Sequence, residues 1–462
     1  MSHWHEEARR LIAGRPWLVA LDVAQSSAAF AASLLQLGAS DVLAIGSARG
    51  VGPLAELPEG RMLILDARGQ GTMGGIRAAE AAFDHLSPQV KGTIDAWDPA
   101  AQALAVRAFF SGGKPVHGRR TWGARPESWQ ALEDKVIIDA LWDRAGVPRL
   151  PCRVVPLSGA VEAARELDQG DGTVWAGDAR EGFHGGATLT RWVRSEDEAQ
   201  AALTLLSTQC DRVRVMPFMD GLPCSIHGFV VPDEEDILSL RPMEMLVLRG
   251  PQGFVYCGAA GVWRASSEDR TAMRGVVQRV GRHLRESVDY RGAFTIDGVM
   301  TREGFRPTEL NPRYGAALKP FTSEDLPLLL LHFAMIEEEP IDWRAAELEE
   351  ALLERGEQPR DVFCGMPLQQ PFDQEHELHA RFVGDDAEAC EEGQAQARVV
   401  IGPSPGGSYL RFVLLQDHTP IGPPVSPRVA ALARLASSRW DLGVGEVRPP
   451  PSLRQPSPRS RT

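Results

Sequence analysis

Between Asp297 and Gly315 the chain reads DGVMTREGFRPTELNPRYG, and no other stretch constrains the fold as strongly. Glu309, Asn311 and Arg313 alternate, so on an extended strand their side chains share one face. Asp297 lies twelve residues before Glu309, and the intervening REGF, with Gly304 at its turn, predicts a hairpin. That hairpin sets Asp297 beside Glu309. Two carboxylates and a carboxamide make an all-oxygen set that suits magnesium, a hard cation that keeps some waters and bridges to phosphates. An arginine on the same face can hold a phosphate or carboxylate through two parallel bonds. From the local pattern alone, a salt-bridged surface hairpin is the alternative.

The first part of the chain alternates apolar strands with helical segments. WLVALD (17–22) precedes the helical SSAAFAASLLQLG, then come DVLAIG, RMLILD and the helical GIRAAEAAFDHL. This order predicts a parallel α/β sheet. GQGTMGG places Gly69, Gly71 and Gly74 in a GxGxxG pattern with Asp95 further on, the form of a dinucleotide fingerprint. It does not follow the first strand of its unit, and glycine is frequent in the chain, so a flexible loop is the preferred expectation. SGGKPVHGRRTWGARPESW (111–129) reads as a solvated linker, with an acidic ligand for its arginines as the alternative. ALEDKVIIDALWDRAG reads as an amphipathic helix. The segments that follow alternate strands and turns, with a charged helix around 267–288, and predict an α+β, mostly antiparallel unit. Short strands such as ARVVIG and YLRFVLLQ predict a small β-rich region near the C-terminus, followed by a Pro-, Ser- and Arg-rich disordered tail.

The expected fold class is therefore α/β and α+β. Its divisions are a parallel-sheet domain over 1–120, a two-lobed domain over 121–345 with a mobile lid near 151–215, a β-rich domain over 346–446 and a tail over 447–462. A length of 462 residues calls for several domains. The net charge of −13 argues against a bulk nucleic-acid or anionic-membrane binder, although it leaves room for a local phosphate pocket. Six scattered cysteines read as reduced thiols of a cytoplasmic protein, and the polar start MSHWHEEARR carries no leader-like apolar core. The apolar run from Leu326, LPLLLLHFAMI, is too short to span a membrane and predicts a buried helix.

The Asp297–Arg313 stretch resembles the C-terminal signature of the ATP-grasp superfamily, an acidic residue followed about a dozen positions later by Glu-x-Asn-x-Arg. Three other segments are similar to that family, in the right order. EDKVIIDALWDRAGVPRLP matches the region of its first phosphate lysine, here Lys135. TVWAGDAREGFHGGATL matches its phosphate-covering loop, and VMPFMDGLPCSIHG its adenine hinge, here Met216 and Phe218. The resemblance spans roughly residues 125–320, and the parallel sheet before it is similar to a pre-ATP-grasp domain.

The resemblance implies ATP and magnesium between two lobes, with Asp297, Glu309 and Asn311 as metal ligands and Arg313 stabilising the transferred phosphoryl group. The strand TVWAG lacks the family's second phosphate lysine; Arg180 or His184 in the loop would take its place. The activity implied is an ATP-dependent carboxylate–amine ligase acting through an acyl phosphate, most similar to bacterial peptide ligases of specialised metabolism. A non-catalytic ATP-binding regulator and a small-molecule kinase are the alternatives. The expected partners are a small-molecule carboxylate and an amine, such as an amino acid or peptide, with no nucleic acid or membrane; a homodimer is left open. Arg241 and Glu244 form a polar pair on an apolar strand, facing either a substrate cleft or each other in a structural bridge. His227, on a strand, is expected to be a hydrogen-bonded structural histidine.

Overall fold

The computed structural model describes residues 2–108, 112–180, 182, 185, 187–250, 253–444 and 446–451. Four sheets follow one another along the chain. The first is wholly parallel: β1 (Pro16–Ala20), β2 (Asp41–Gly46), β3 (Met62–Ile64) and β4 (Leu104–Arg107), in the order β3-β2-β1-β4. Its strands are apolar throughout because both faces are covered. Trp17, Val19, Val42 and Ala44 pack toward α1 (His3–Ile12) and α2 (Ala24–Gln36). Leu18, Ala20, Leu43 and Ile45 pack toward α3 (Gly71–Asp84) and α4 (Pro88–Trp97).

The segment expected to be a solvated linker is instead a buried strut. Trp122 sits edge-on between Trp17 and Phe333, with ring centroids 5.2 and 5.8 Å away. Arg119 is buried against Asp98, and Arg125 is buried as well. Its Trp brings enough apolar surface to override the Gly and Arg content that suggested solvent exposure. The helix expected next is split: α5 (Glu127–Gln130) and a single 3-10 turn at Ala131–Glu133 precede α6 (Ile138–Arg144), and Lys135 lies in the gap.

The second sheet is antiparallel, with β5 (Arg153–Pro156), β6 (Thr173–Gly177), β7 (Thr190–Val193) and β8 (Arg212–Pro217) in the order β5-β8-β6-β7. Trp175, Val193, Val213 and Val215 form its core with α7 (Ala160–Leu167) and α8 (Glu196–Leu206). Strand alternation puts Val174, Ala176, Thr190, Trp192, Arg214 and Met216 on the opposite face.

The third sheet holds β9 (Leu222–Val230), β10 (Ile237–Ser239), β11 (Met243–Gly250), β12 (Gly253–Ala260), β13 (Gly292–Thr301) and β14 (Gly304–Asn311). Its order is β12-β11-β9-β13-β14, with β10 added to β9. Helix α9 (Ser267–Val288) covers it with Met273, Val277, Val280 and Leu284. Helices α10 (Leu328–Ile336) and α11 (Ala345–Glu357) join its far side to the first sheet in one continuous core.

The fourth sheet is β15 (Val362–Leu368), β16 (His376–Val383), β17 (Asp386–Ala389), β18 (Ala397–Ser404) and β19 (Gly407–Leu414), with α12 (Ser426–Trp440) beside it. It shares a core with Leu246, Leu248 and Cys257 of the third sheet. Glu244 secures that junction, since its buried carboxylate accepts the N–H groups of Val425 and Ser426 at the start of α12, at 2.6 and 3.0 Å. Arg241 donates to the Gly356 carbonyl and pairs with Glu357. The two side chains thus serve packing and capping, and do not bridge one another. The segment expected as a disordered tail begins with Val447 buried and Arg448 joined to Arg249 by two backbone bonds of 2.8 and 2.9 Å. The packed chain therefore continues past 447, and the tail expectation for 452–462 lies outside the described residues.

The GxGxxG pattern is resolved by contact with the β18–β19 turn. The Gly69 N–H donates to the Pro405 carbonyl (2.8 Å) and that of Gly71 to Gly406 (3.2 Å). A Cβ on Gly69 would lie 2.0 Å from the Gly74 carbonyl oxygen, and one on Gly406 would lie 2.5 Å from that of Gly71. The glycines admit another loop of the same chain, which occupies the backbone donors a pyrophosphate would need. Gly406→Ala should cost about 1–3 kcal/mol, because the obstructing atoms are backbone. Denaturant unfolding measures that loss.

Candidate active site

β13 and β14 form the hairpin expected from the sequence, turning at Gly304, whose φ of +102° is left-handed. The register sets Asp297 opposite Glu309 and Thr295 opposite Asn311. A bulge follows Asp297, so Gly298 faces Pro307. Asn311 Nδ2 donates to Asp297 Oδ2 at 2.7 Å. Arg313 lies beyond the end of the strand, yet its Nη1 reaches Asn311 Oδ1 at 2.5 Å. Asp297, Glu309, Asn311 and Arg313 therefore form one connected group at the edge of the third sheet.

The segment ahead of α6 closes over this group. Lys135 Nζ donates to Glu309 Oε1 at 2.8 Å. Glu133 pairs with Arg313 Nη1 at 3.2 Å and with Arg125 Nη1 at 2.6 Å, and Arg125 also donates to the Pro312 carbonyl at 2.8 Å. Enclosure, and next the charge of Glu309, push the Asp297 carboxyl up to about 7. Two facing carboxylates with one nearby lysine are a poor arrangement by themselves and a good one for a divalent cation. The donors are hard oxygens, as magnesium prefers. Among the described residues no three His, Cys, Asp or Glu side chains cluster around a common point, so this is an open set of oxygens rather than a closed cage.

The remaining sequence-predicted residues lie on or beside the second sheet. Met216 is buried on the face of the second sheet away from its helices, its Sδ 3.6 Å from Arg214 Nη1. Phe218 stacks on Trp192 with centroids 4.2 Å apart and planes 14° apart, and Phe254 of β12 lies nearly parallel 5.9 Å from Trp192. Arg180 is directed to the α8–β8 turn, where it meets Asp211 (2.9 Å) and the Thr208 carbonyl (3.0 Å). His184 lies outside the described residues. His227 is the structural histidine expected: it bonds Thr295 Oγ1 at 2.7 Å, and burial holds its pKa down to about 4.

Three participants were not singled out as site residues in the sequence. Arg125 was read only among the linker arginines, and Glu133 carried no motif. Arg214 lay inside an apolar strand, where the alternation of RVRVMP was its only signal. It stands beside Ala176 on the same face, is bound two-pronged to Asp139 at 2.7 and 2.7 Å, and donates to the Thr308 carbonyl at 3.1 Å. Lys135 and Arg214 thus meet β14 at neighbouring residues, Glu309 and Thr308.

The sequence matches no protein-family profile and no curated protein. Solved structures do match. An N5-carboxyaminoimidazole ribonucleotide synthetase crystallised with ADP superposes over 92% of this chain and 97% of its own, at 11% identity and a TM-score of 0.51. The corresponding synthetase from Thermus thermophilus covers 91% and 97% at 16% identity and 0.48. An L-amino acid ligase from Bacillus licheniformis covers 88% and 94% at 12% identity and 0.48. The chain has the ATP-grasp fold. Among the described residues no helix is long and apolar enough to cross a membrane.

Two outcomes follow from the geometry. Lys135→Gln and Glu309→Gln should each lower the stability of the ligand-free protein by about 1–3 kcal/mol, and the double variant by less than the sum, in a thermodynamic cycle read by denaturant unfolding. NAD and FAD should leave the melting temperature unchanged because the Gly69–Gly74 loop is engaged, whereas Mg-ATP should raise it.

Proposed function

We propose that this chain is an ATP-dependent ligase that joins a small-molecule carboxylate to an amine through an acyl phosphate. The observation that carries the proposal is the facing pair Asp297–Glu309, continued by Asn311 and Arg313 and met by Lys135 from another element. The fold, which a synthetase crystallised with ADP shares, supports it.

In the first step a carboxylate oxygen of the substrate attacks the γ-phosphorus, and the bond to ADP breaks. In the second the amine nitrogen attacks the acyl carbon, phosphate leaves with the bonding pair, and the amine loses its proton. Both steps require charge neutralisation and alignment more than a covalent protein group. Asp297, Glu309 and Asn311 would hold magnesium, which when bound neutralises the nucleotide phosphates. Lys135 would contact the phosphates as a point charge, and Arg313 the transferred phosphoryl group through its planar guanidinium. Met216 and Phe218 would line the base end of the cleft. The divisions near 120 and 345, the peptide-forming specialisation and a cytoplasmic setting belong to the same proposal.

Incubation with Mg-ATP and panels of acids and amines tests it. ADP and phosphate released only when both substrates are present support the ligase. A phosphorylated product without free phosphate indicates a kinase, and nucleotide binding without turnover a regulator. Glu309→Gln should lower turnover about 100-fold or more at limiting magnesium, and Arg313→Lys by about 10-fold or more. Near wild-type turnover of Glu309→Gln would remove the metal assignment.

A further inference from the structure

Arg313 lies past the end of β14, so no sheet ladder fixes its backbone, and its long side chain carries about 2 kcal/mol of rotamer entropy. The chain holds it from the residues between α5 and α6. Glu133, on the 3-10 turn, places one carboxylate oxygen 2.6 Å from Arg125 Nη1 and the other 3.2 Å from Arg313 Nη1. The three side chains are 10, 3 and 16% exposed in the order Glu133, Arg125, Arg313, so the group is shielded from water and screening is weak. Arg125 Nη1 reaches further, to the Pro312 carbonyl at 2.8 Å, the main-chain link between Asn311 and Arg313.

One acid between two guanidinium groups is more than a structural pair needs. Glu133 gives one carboxylate oxygen to each guanidinium. The arrangement reaches both the backbone before Arg313 and its side chain. Two residues further on, Lys135 meets Glu309. The segment from Arg125 to Lys135 thus grips the hairpin at Glu309, Pro312 and Arg313. Without the carboxylate, Arg125 and Arg313 would repel one another across a shielded space.

We propose that Glu133, seated on Arg125, is a positioning residue that aims the Arg313 guanidinium at the phosphoryl group in transfer. This rests on the ligase reading above and adds to it a role for a residue that touches neither nucleotide nor metal. Glu133 acts through Arg313, so its influence is confined to the state in which the phosphoryl group is planar and leaving. Ground-state nucleotide binding does not require it.

The test compares Mg-ADP binding with trapping of Mg-ADP and aluminium fluoride, a mimic of the planar phosphoryl group, in wild type, Glu133→Gln, Arg313→Ala and the double variant. The expected result is unchanged Mg-ADP affinity in Glu133→Gln, with trapping weakened about 10-fold or more. In the Arg313→Ala background the same substitution should cause no further loss. If Glu133→Gln unfolds because Arg125 loses its carboxylate, Glu133→Asp, which keeps the charge but draws it back by one methylene, takes its place with the same expectation. Unchanged trapping in a folded Glu133 variant overturns the proposal, as does a loss that persists in full without Arg313. A wild-type protein that binds no Mg-ADP overturns the ligase reading as well, and the two failures are thereby told apart.

Discussion

Asp297 and Glu309 stand opposite each other across two hydrogen-bonded strands, and like charges in that position destabilise a hairpin by themselves. The structure tolerates the pair by surrounding it. Lys135 meets Glu309, the Asn311 amide donates to Asp297, and the Asp297 carboxyl is pushed up to about 7, toward its neutral form. Asn311 comes from the hairpin itself and Lys135 from the segment before α6, so the pair ties that segment to the hairpin. β14 is the edge strand of its sheet, which leaves the carboxylates accessible from the side on which the lid and the residues before α6 converge.

The lid sheet is organised along the same line. Its helix-covered face is apolar, whereas its other face changes character along its length. Ala176 lies level with Arg214 and Thr190 at one end, Val174 lies level with Met216 and Trp192, and Phe218 follows beyond Met216 and stacks on Trp192. Arg214, through Asp139 and the Thr308 carbonyl, and the Trp192–Phe254 stack tie this face to the rest of the chain.

Strands with strong periodicity were legible in the sequence, and so was the hairpin, because Gly304 and the alternation of Glu309, Asn311 and Arg313 are local signals. Helix α9 spans Ser267–Val288, where charge and apolar spacing place it. What escaped depended on partners remote in sequence. Trp122 looked like part of a linker because its neighbours, Trp17 and Phe333, lie about a hundred and two hundred residues away. Glu133 is unremarkable until Arg125 and Arg313 are seen on either side of it. The glycines of the GxGxxG pattern signal close backbone approach in any protein, and only the fold tells whether the approaching group is a pyrophosphate or, as here, the turn at Pro405–Gly406.

Arg214 puts a buried charge on the face of the second sheet beside Ala176. The sequence has alanine at 176 on the strand where a phosphate lysine was expected, and the adjacent position on the same face is an arginine. This arginine is not held in reserve in solvent. It is 1% exposed, and it ties the lid to α6 through Asp139 and to β14 through Thr308. Breaking a buried, two-pronged pair by removing one partner costs about 3–5 kcal/mol. The end of the second sheet nearest the hairpin is therefore fixed to the body of the protein, while Trp192 and Phe218 stack beside Phe254 of the third sheet. A charge that on β6 would travel with the loop is, on β8, anchored to the strand that carries Glu309. Its position relative to Lys135 is then set by the core rather than by the loop.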